Sequence, residues 1–169
     1  AAYTASDSAF TQIALGAHKI GTIMKVSDEL MQDSVFDMSS YIGRNFGRRI
    51  GEAEEAAFVA GDGSSKPTGA TVGASAGVTA AGTGAITSNE ILDLAYSLKR
   101  QYRRNGAWLF NDSTIKAIRQ LKDSNGQYLW QPALTAGDPD TLAGRPVHAS
   151  YDMPEMTTGL VAGLFGDFK

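Results

Sequence analysis

The chain has 169 residues, 43% of them hydrophobic and 20% charged, with a net charge of −3. That length supports one domain with a real core, and the charge balance argues against a sequence-wide grip on phosphate. The absence of cysteine excludes disulfide frameworks, thiolate catalysis and Cys-based zinc sites, and no apolar run approaches the ~18–20 residues of a membrane span.

Residues 1–25 carry Phe10, Ile13, Leu15, Ile20, Ile23 and Met24, interrupted by Gly16 and Gly21. Two glycines and a patchy alternation break any helical stripe, so short extended segments are expected. Ser27 then caps a short helix through about Asp33, with Asp28 and Glu29 favourable in its first turn.

The strongest helical signal follows. Val35, Met38, Ile42, Phe46, Ile50, Ala53 and Ala57 recur at steps of three or four, which places them on one stripe. A helix over 35–60 would run roughly 39 Å, a spine across the molecule. Gly43, Gly47 and Gly51 stack on one face of it at i, i+4 and i+8. Together they cost on the order of 3 kcal/mol against alanine, which close approach of another backbone would offset. Arg44, Arg48 and Arg49 precede Glu52, Glu54 and Glu55, so the acids sit near the helix C-terminus, where the macrodipole disfavours them. Arg48 and Glu52 can pair at i,i+4. This face reads equally as solvated charge or as a subunit contact. Gly43, Gly47, Gly51, Arg44, Arg48, Glu52 and Glu55 are therefore the candidate assembly contacts.

Residues 61–86 are dominated by Gly, Ala, Ser and Thr and read as an exposed loop, with Gly69 to Ala85 expected to accept insertions. Thr87-Ser88-Asn89-Glu90 has the capping-box pattern, opening a helix whose face is Ile91, Ala95, Leu98 and Tyr102. Asn105-Gly106 should end it in a left-handed turn. Ala107-Trp108-Leu109-Phe110 suits a buried strand. Asp112 or Ser113 can cap a second helix bearing Ile115, Ile118 and Leu121. Asn125-Gly126 predicts a turn into a strand at 127–130, and 145–150 and 160–165 are further strand candidates.

Catalytic and binding motifs fail on spacing. Gly61-Asp62-Gly63-Ser64-Ser65-Lys66-Pro67-Thr68-Gly69 is not a phosphate loop, because Pro67 follows the lysine and the segment leaves a helix instead of opening one. A glycine stop to the spine explains it better. His18 and His148 have no acids at ligand spacing and no nucleophile elbow nearby, and His148 reads as a hydrogen-bonded structural residue in a strand. Trp108, Trp130, Tyr102 and Tyr128 fall at core positions without the interleaved basic residues of a base-stacking surface. No catalytic, cofactor or metal residue is assigned.

Several ordered motifs carry a family likeness. Val26-Ser27-Asp28-Glu29-Leu30, Asp33-Ser34, the spine, Gly61-Asp62-Gly63 and Pro67-Thr68-Gly69 come first. Gln101-Tyr102-Arg103-Arg104-Asn105-Gly106-Ala107-Trp108, Leu121-Lys122-Asp123-Ser124-Asn125-Gly126-Gln127-Tyr128-Leu129, Leu142-Ala143-Gly144-Arg145-Pro146-Val147, Met153-Pro154 and Gly166-Asp167-Phe168 follow. No one motif decides the matter, but the ordered set closely resembles the tailed-bacteriophage major capsid protein family, whose fold is shared with encapsulins.

The resemblance implies an α+β fold with a spine helix, a peripheral domain and a mixed α/β axial domain. Residues 1–25 would be the returning arm of an extended hairpin, 26–86 the spine and peripheral part, 87–158 the axial-type domain, and 159–169 the return to the peripheral domain. The chain would then be truncated at both ends. The implied function is a self-assembling shell of pentamers and hexamers in the virion, built in the host cytoplasm and enclosing double-stranded DNA without sequence-specific contact. Scaffold, portal or decoration proteins would be further partners, with no cofactor and no membrane. An encapsulin-type compartment is the first alternative and a small α/β enzyme the second. The self-crosslinking lysine of some family members has no clear match in Lys19, and that activity is not carried over.

Overall fold

A computed structural model describes residues 16–130 and 140–168. The strand candidates at Phe10, Ile13 and Leu15 lie outside the described residues. Ten elements follow in order: α1 (Asp28–Asp33), α2 (Met38–Ala60), α3 (Ala70–Gly73), α4 (Ser88–Ser97), α5 (Arg100–Arg103), β1 (Ala107–Phe110), α6 (Asp112–Arg119), β2 (Thr141–Leu142), β3 (Arg145–Ala149) and β4 (Gly163–Gly166).

The sheet is mixed, in the order β2-β3-β1-β4. β1 runs parallel to β3 and antiparallel to β4, with Trp108 opposite Val147 on one side and Phe165 on the other. Alternation along β1 sends side chains to both faces. Trp108 and Phe110 enter the main core with Ile91, Ala95, Ile115 and Ile118, contributed by α4 and α6. Leu109 points the other way, onto a smaller cluster of Val59, Met153 and Leu164. That second cluster holds the end of the spine. Trp108 is fully buried, and its indole N–H donates to the Leu142 carbonyl at 2.9 Å, so burial leaves no orphan donor there.

Local signals produce most of the helix starts. Ser27 Oγ accepts from Leu30 N at 3.3 Å, and Thr87 and Glu90 form the reciprocal capping box. Glu90 reaches further than its box. One carboxylate oxygen accepts from Thr87 N (2.8 Å) and the other from Ala81 N (2.7 Å), tying the Gly/Ala loop to α4.

Several expectations are corrected. The spine starts at Met38, not 35. Ser34 Oγ bonds both the N–H and the carbonyl of Phe36, a local turn that competes with helix and leaves Val35 and Phe36 exposed. The helix after Thr87 breaks at Leu98, which is extended, and Arg103 turns back to donate to the freed Leu98 and Tyr96 carbonyls. Tyr102 is consequently half exposed instead of sharing the Ile91 face. Gly106 is required for space, not for a left-handed turn: a Cβ there would lie 2.6 Å from the Phe165 ring. Asn111, not Asp112 or Ser113, caps α6. The strand expected at 127–130 reduces to a single Lys122–Tyr128 bridge around a turn, where Asp123 accepts from Asn125 N and Gln127 N. His148 lies on β3 with its side chain exposed, not as a core residue.

The 69–85 loop is also less free than its composition indicates. A Cβ on Gly77 would come within 2.6 Å of Ser97 Oγ, and Ala81 is held by Glu90. Insertions there meet packed points.

Amide exchange should follow this distribution of burial. Slow exchange is expected in β1 and across 115–121, and faster exchange over 16–25 and the spine before Ala57. Uniform protection along the spine of the isolated chain would contradict the structure. The Glu90 carboxyl is held below its ordinary value of 4.5 by the Ala81 and Thr87 N–H bonds. Its contribution to folding is therefore complete above that value and is lost as pH falls through the lower folded pKa. NMR titration should show the Ala81 and Thr87 amides responding together in that acid range, a response that Glu90→Gln should abolish.

Candidate assembly surface

The spine is about 34 Å long for its 23 residues, yet only Ala57 and Val59 are buried. Both lie in the last turn. Before that turn the apolar stripe is open: Met38, Ile42 and Phe46 are part-exposed and Ile50 is 36% exposed. Tyr41 and Phe58, on other faces, are 56% and 62% exposed. A helix usually hides its apolar stripe against its own domain. This one does not.

Its C-terminal end is fixed by close backbone contact. Gly61 N donates to the Ala57 carbonyl, and Gly69 N donates to the Gly61 carbonyl at 2.8 Å. Thr71 Oγ donates to the Val59 carbonyl, satisfying another open helix end. The segment between is a tight return: Asp62 accepts from Ser64 N, and Asp62 pairs with Thr68. A Cβ on Gly61 would meet the Pro67 carbonyl oxygen at 2.1 Å, and one on Gly69 would meet Gly61 N at 2.4 Å. Backbone is on both sides, so neither clash can be relieved by a rotamer change.

The sequence-predicted contact residues divide into three groups. Gly43, Gly47 and Gly51 lie on one exposed helical face, and a Cβ on any of them would meet nothing within 4 Å. No backbone among the described residues approaches them. Phe58, two turns beyond Gly51, continues that face. Arg44 Nε donates to the Ser40 carbonyl, and Arg48 pairs with Glu52 at 3.6 Å with both side chains largely exposed. Such a pair contributes little on its own. Glu55 is an exposed residue, but its carboxylate accepts from Ser150 Oγ at 2.6 Å, linking the spine to the residue after β3.

Two anchoring residues were not foreseen. Ser150 is buried and also donates its N–H to the Phe110 carbonyl, so it joins the spine to β1. Asn111 is buried too. Its Oδ1 accepts from Ser113 N, and its Nδ2 donates to Met153 O at 2.8 Å. One amide thus starts α6 and positions the Met153 side of the spine's cluster. An Asn directly after an apolar strand was the available sign.

Little in the described residues resembles a catalytic site. One cavity, about 570 Å³, is lined mostly by Ala, Gly and apolar side chains such as Ile91, Leu94, Trp108 and Phe110. Its one titratable lining residue is Glu90, whose carboxylate already accepts two backbone N–H bonds. No group of three or more His, Asp or Glu that could hold a metal occurs among the described residues, and none of their helices is long and apolar enough to cross a membrane.

The two kinds of glycine should respond oppositely. Gly61→Ala and Gly69→Ala should each destabilise the chain by about 1–3 kcal/mol or more, through overpacking against backbone. Gly47→Leu should leave the isolated chain folded and stabilise it by up to about 1 kcal/mol through helix propensity. Urea denaturation of the three variants checks both signs.

Comparison with known proteins agrees with a shell protein. The model of the phage capsid family matches residues 1–169. A solved chain from the capsid of a native GTA particle, computed with C5 symmetry, is 34% identical with a TM-score of 0.78. The match covers 89% of this chain and 56% of that one. A chain from the empty GTA particle is also 34% identical with a TM-score of 0.74, covering 84% of this chain and 53% of that one. The chain therefore spans about half the length of the capsid chains it matches. No curated protein matches it. With its whole length matched by the family and its mixed α+β fold shared with assembled capsid chains, the chain belongs to the phage capsid family.

Proposed function

We propose that this chain is a structural shell subunit of a tailed bacteriophage, assembling into the pentamers and hexamers of an icosahedral capsid around double-stranded DNA. The observation that carries the reading is the bare spine. A helix anchored at one end, with its apolar stripe and a glycine face open, gains its missing burial from neighbouring copies. Support for rings comes from the similar chains, which belong to capsids computed with C5 symmetry. In this reading residues 26–86 serve the peripheral part and 87–158 the axial part. Gly43, Gly47 and Gly51 take the close approach of another subunit, with Arg44, Arg48 and Glu52 at its edge. Glu55 works within the subunit. Assembly in the host cytoplasm, with scaffold, portal or decoration proteins, belongs to the same proposal. The family matched is that of phage capsids, which favours a genome container over an encapsulin-type compartment.

Electron microscopy of the full-length protein expressed alone tests this directly. Rings or large closed particles are expected, and Gly47→Leu should remove them while the subunit remains folded. A discrete monomer or small oligomer at all concentrations, or normal particles from Gly47→Leu, would count against it.

A further inference from the structure

Charge is segregated along this chain. Lys99, Arg100, Arg103 and Arg104 fall within six residues, with no acid anywhere from 94 to 111. Arg145 joins them by donating from its guanidinium to the Arg104 carbonyl. Beside them stand exposed apolar side chains, Leu92 (46%) and Tyr96 (68%), one turn apart on α4, with the Arg103 guanidinium 4.4 Å above the Tyr96 ring. Residues 26–43 are the reverse. Asp28, Glu29, Asp33 and Asp37 are exposed with no base among them, and Leu30 (51%) and Met31 (49%) are uncovered on α1, which has no buried residue.

The ion pairs between described residues are Arg48–Glu52 and Arg119–Asp140, so among the described residues neither group is neutralised by an ion pair. We propose that the basic, tyrosine-bearing face at residues 99–104 of one copy docks on the acidic segment at residues 28–37 of the next. This rests on the shell reading. The two surfaces differ, so their contact is head-to-tail, the kind that closes a ring when repeated. Arginine and tyrosine beside aliphatic surface are also the make-up of a protein interface. A nucleic-acid patch would have no use for Leu92, nor for the matched acidic segment with its own Leu30 and Met31.

Charge reversal with rescue tests the contact in the full-length protein. Lys99→Glu with Arg100→Glu, and separately Glu29→Lys with Asp33→Lys, should each lower particle yield by about tenfold or more. All four changes in one chain should recover most of it, with circular dichroism confirming a folded subunit in every case. A companion set, Lys99→Gln/Arg100→Gln and Glu29→Gln/Asp33→Gln, is read by salt. Wild-type assembly should slow as the Debye length shrinks from about 10 Å at 0.1 M salt to about 3 Å at 1 M, and the neutral variants should respond less. Normal particle yield from either reversal overturns the proposal, as does a four-change chain that folds but stays defective. So does a loss confined to DNA content in otherwise normal particles, which would make the basic face a phosphate contact. Wild type that forms no rings overturns the shell reading as well. Wild type and both reversals assembling alike overturns only this contact.

Discussion

The structure depends on the backbone crossing at Gly61 and Gly69. Where the chain leaves the spine it must turn within a few residues and come back against the helix end it has just left. Only glycine permits that approach, because a Cβ at either position would sit inside another backbone atom's radius. The crossing places Ala70 and Thr71 beside Val59, and Val59 beside Met153 and Leu164. Glu55 and Ser150 add a polar tie one turn earlier. The spine is thereby attached to the sheet at its last two turns, leaving the preceding four or so turns with no buried residue.

What the sequence made legible was local. Ser27 and the Thr87–Glu90 box are decided by atoms within four residues, and both form as expected. β1 was readable because four consecutive apolar residues admit few alternatives to a buried strand. The misses share a different physics. The break at Leu98 is stabilised by Arg103 reaching back to carbonyls, and the α6 cap falls to Asn111 because its Nδ2 is held by Met153 O. Gly106 was read as a turn residue, but its need is set by Phe165, which lies 59 residues on in sequence. Glu55 was grouped with outward charges because helical spacing alone cannot reveal that Ser150 waits on its side. The i, i+4, i+8 spacing of Gly43, Gly47 and Gly51 made their shared helical face legible, and that face is open in the structure.

The sheet fastens the spine's attached end through packing on both of its faces. β1 is covered on both faces, by α4 and α6 on one side and by the spine's end on the other. Trp108 stands at its centre, stacked on Phe110 at 5.5 Å and against Phe165 at 4.3 Å between ring centroids. Aromatic packing of this kind adds about 0.5–1.5 kcal/mol per pair beyond area burial. The order β2-β3-β1-β4 brings residues from 107 to 166 into one layer, so the spine is fastened to long-range structure instead of to a single hairpin.

Three features of the spine would each be unfavourable in an isolated helix. Its glycines cost on the order of 3 kcal/mol together, its acids lie at the wrong end of the macrodipole, and its stripe remains in contact with water. Natural sequences tend to keep local preference and global fold consistent, so violations concentrated on one element mark a place where a further interaction enters. The sizes are compatible. Burying the exposed third of Ile50 and the exposed 62% of Phe58 would contribute those fractions of the roughly 1.5–3 kcal/mol that full burial of each side chain gives, a sum on the scale of the glycine cost. The absence of a Cβ at Gly43, Gly47 and Gly51 is what would let a neighbouring backbone come near enough to do so. Under the shell reading, a subunit that completed its own spine would have less to gain from its neighbours, which is the reason the helix is proposed as half of a contact.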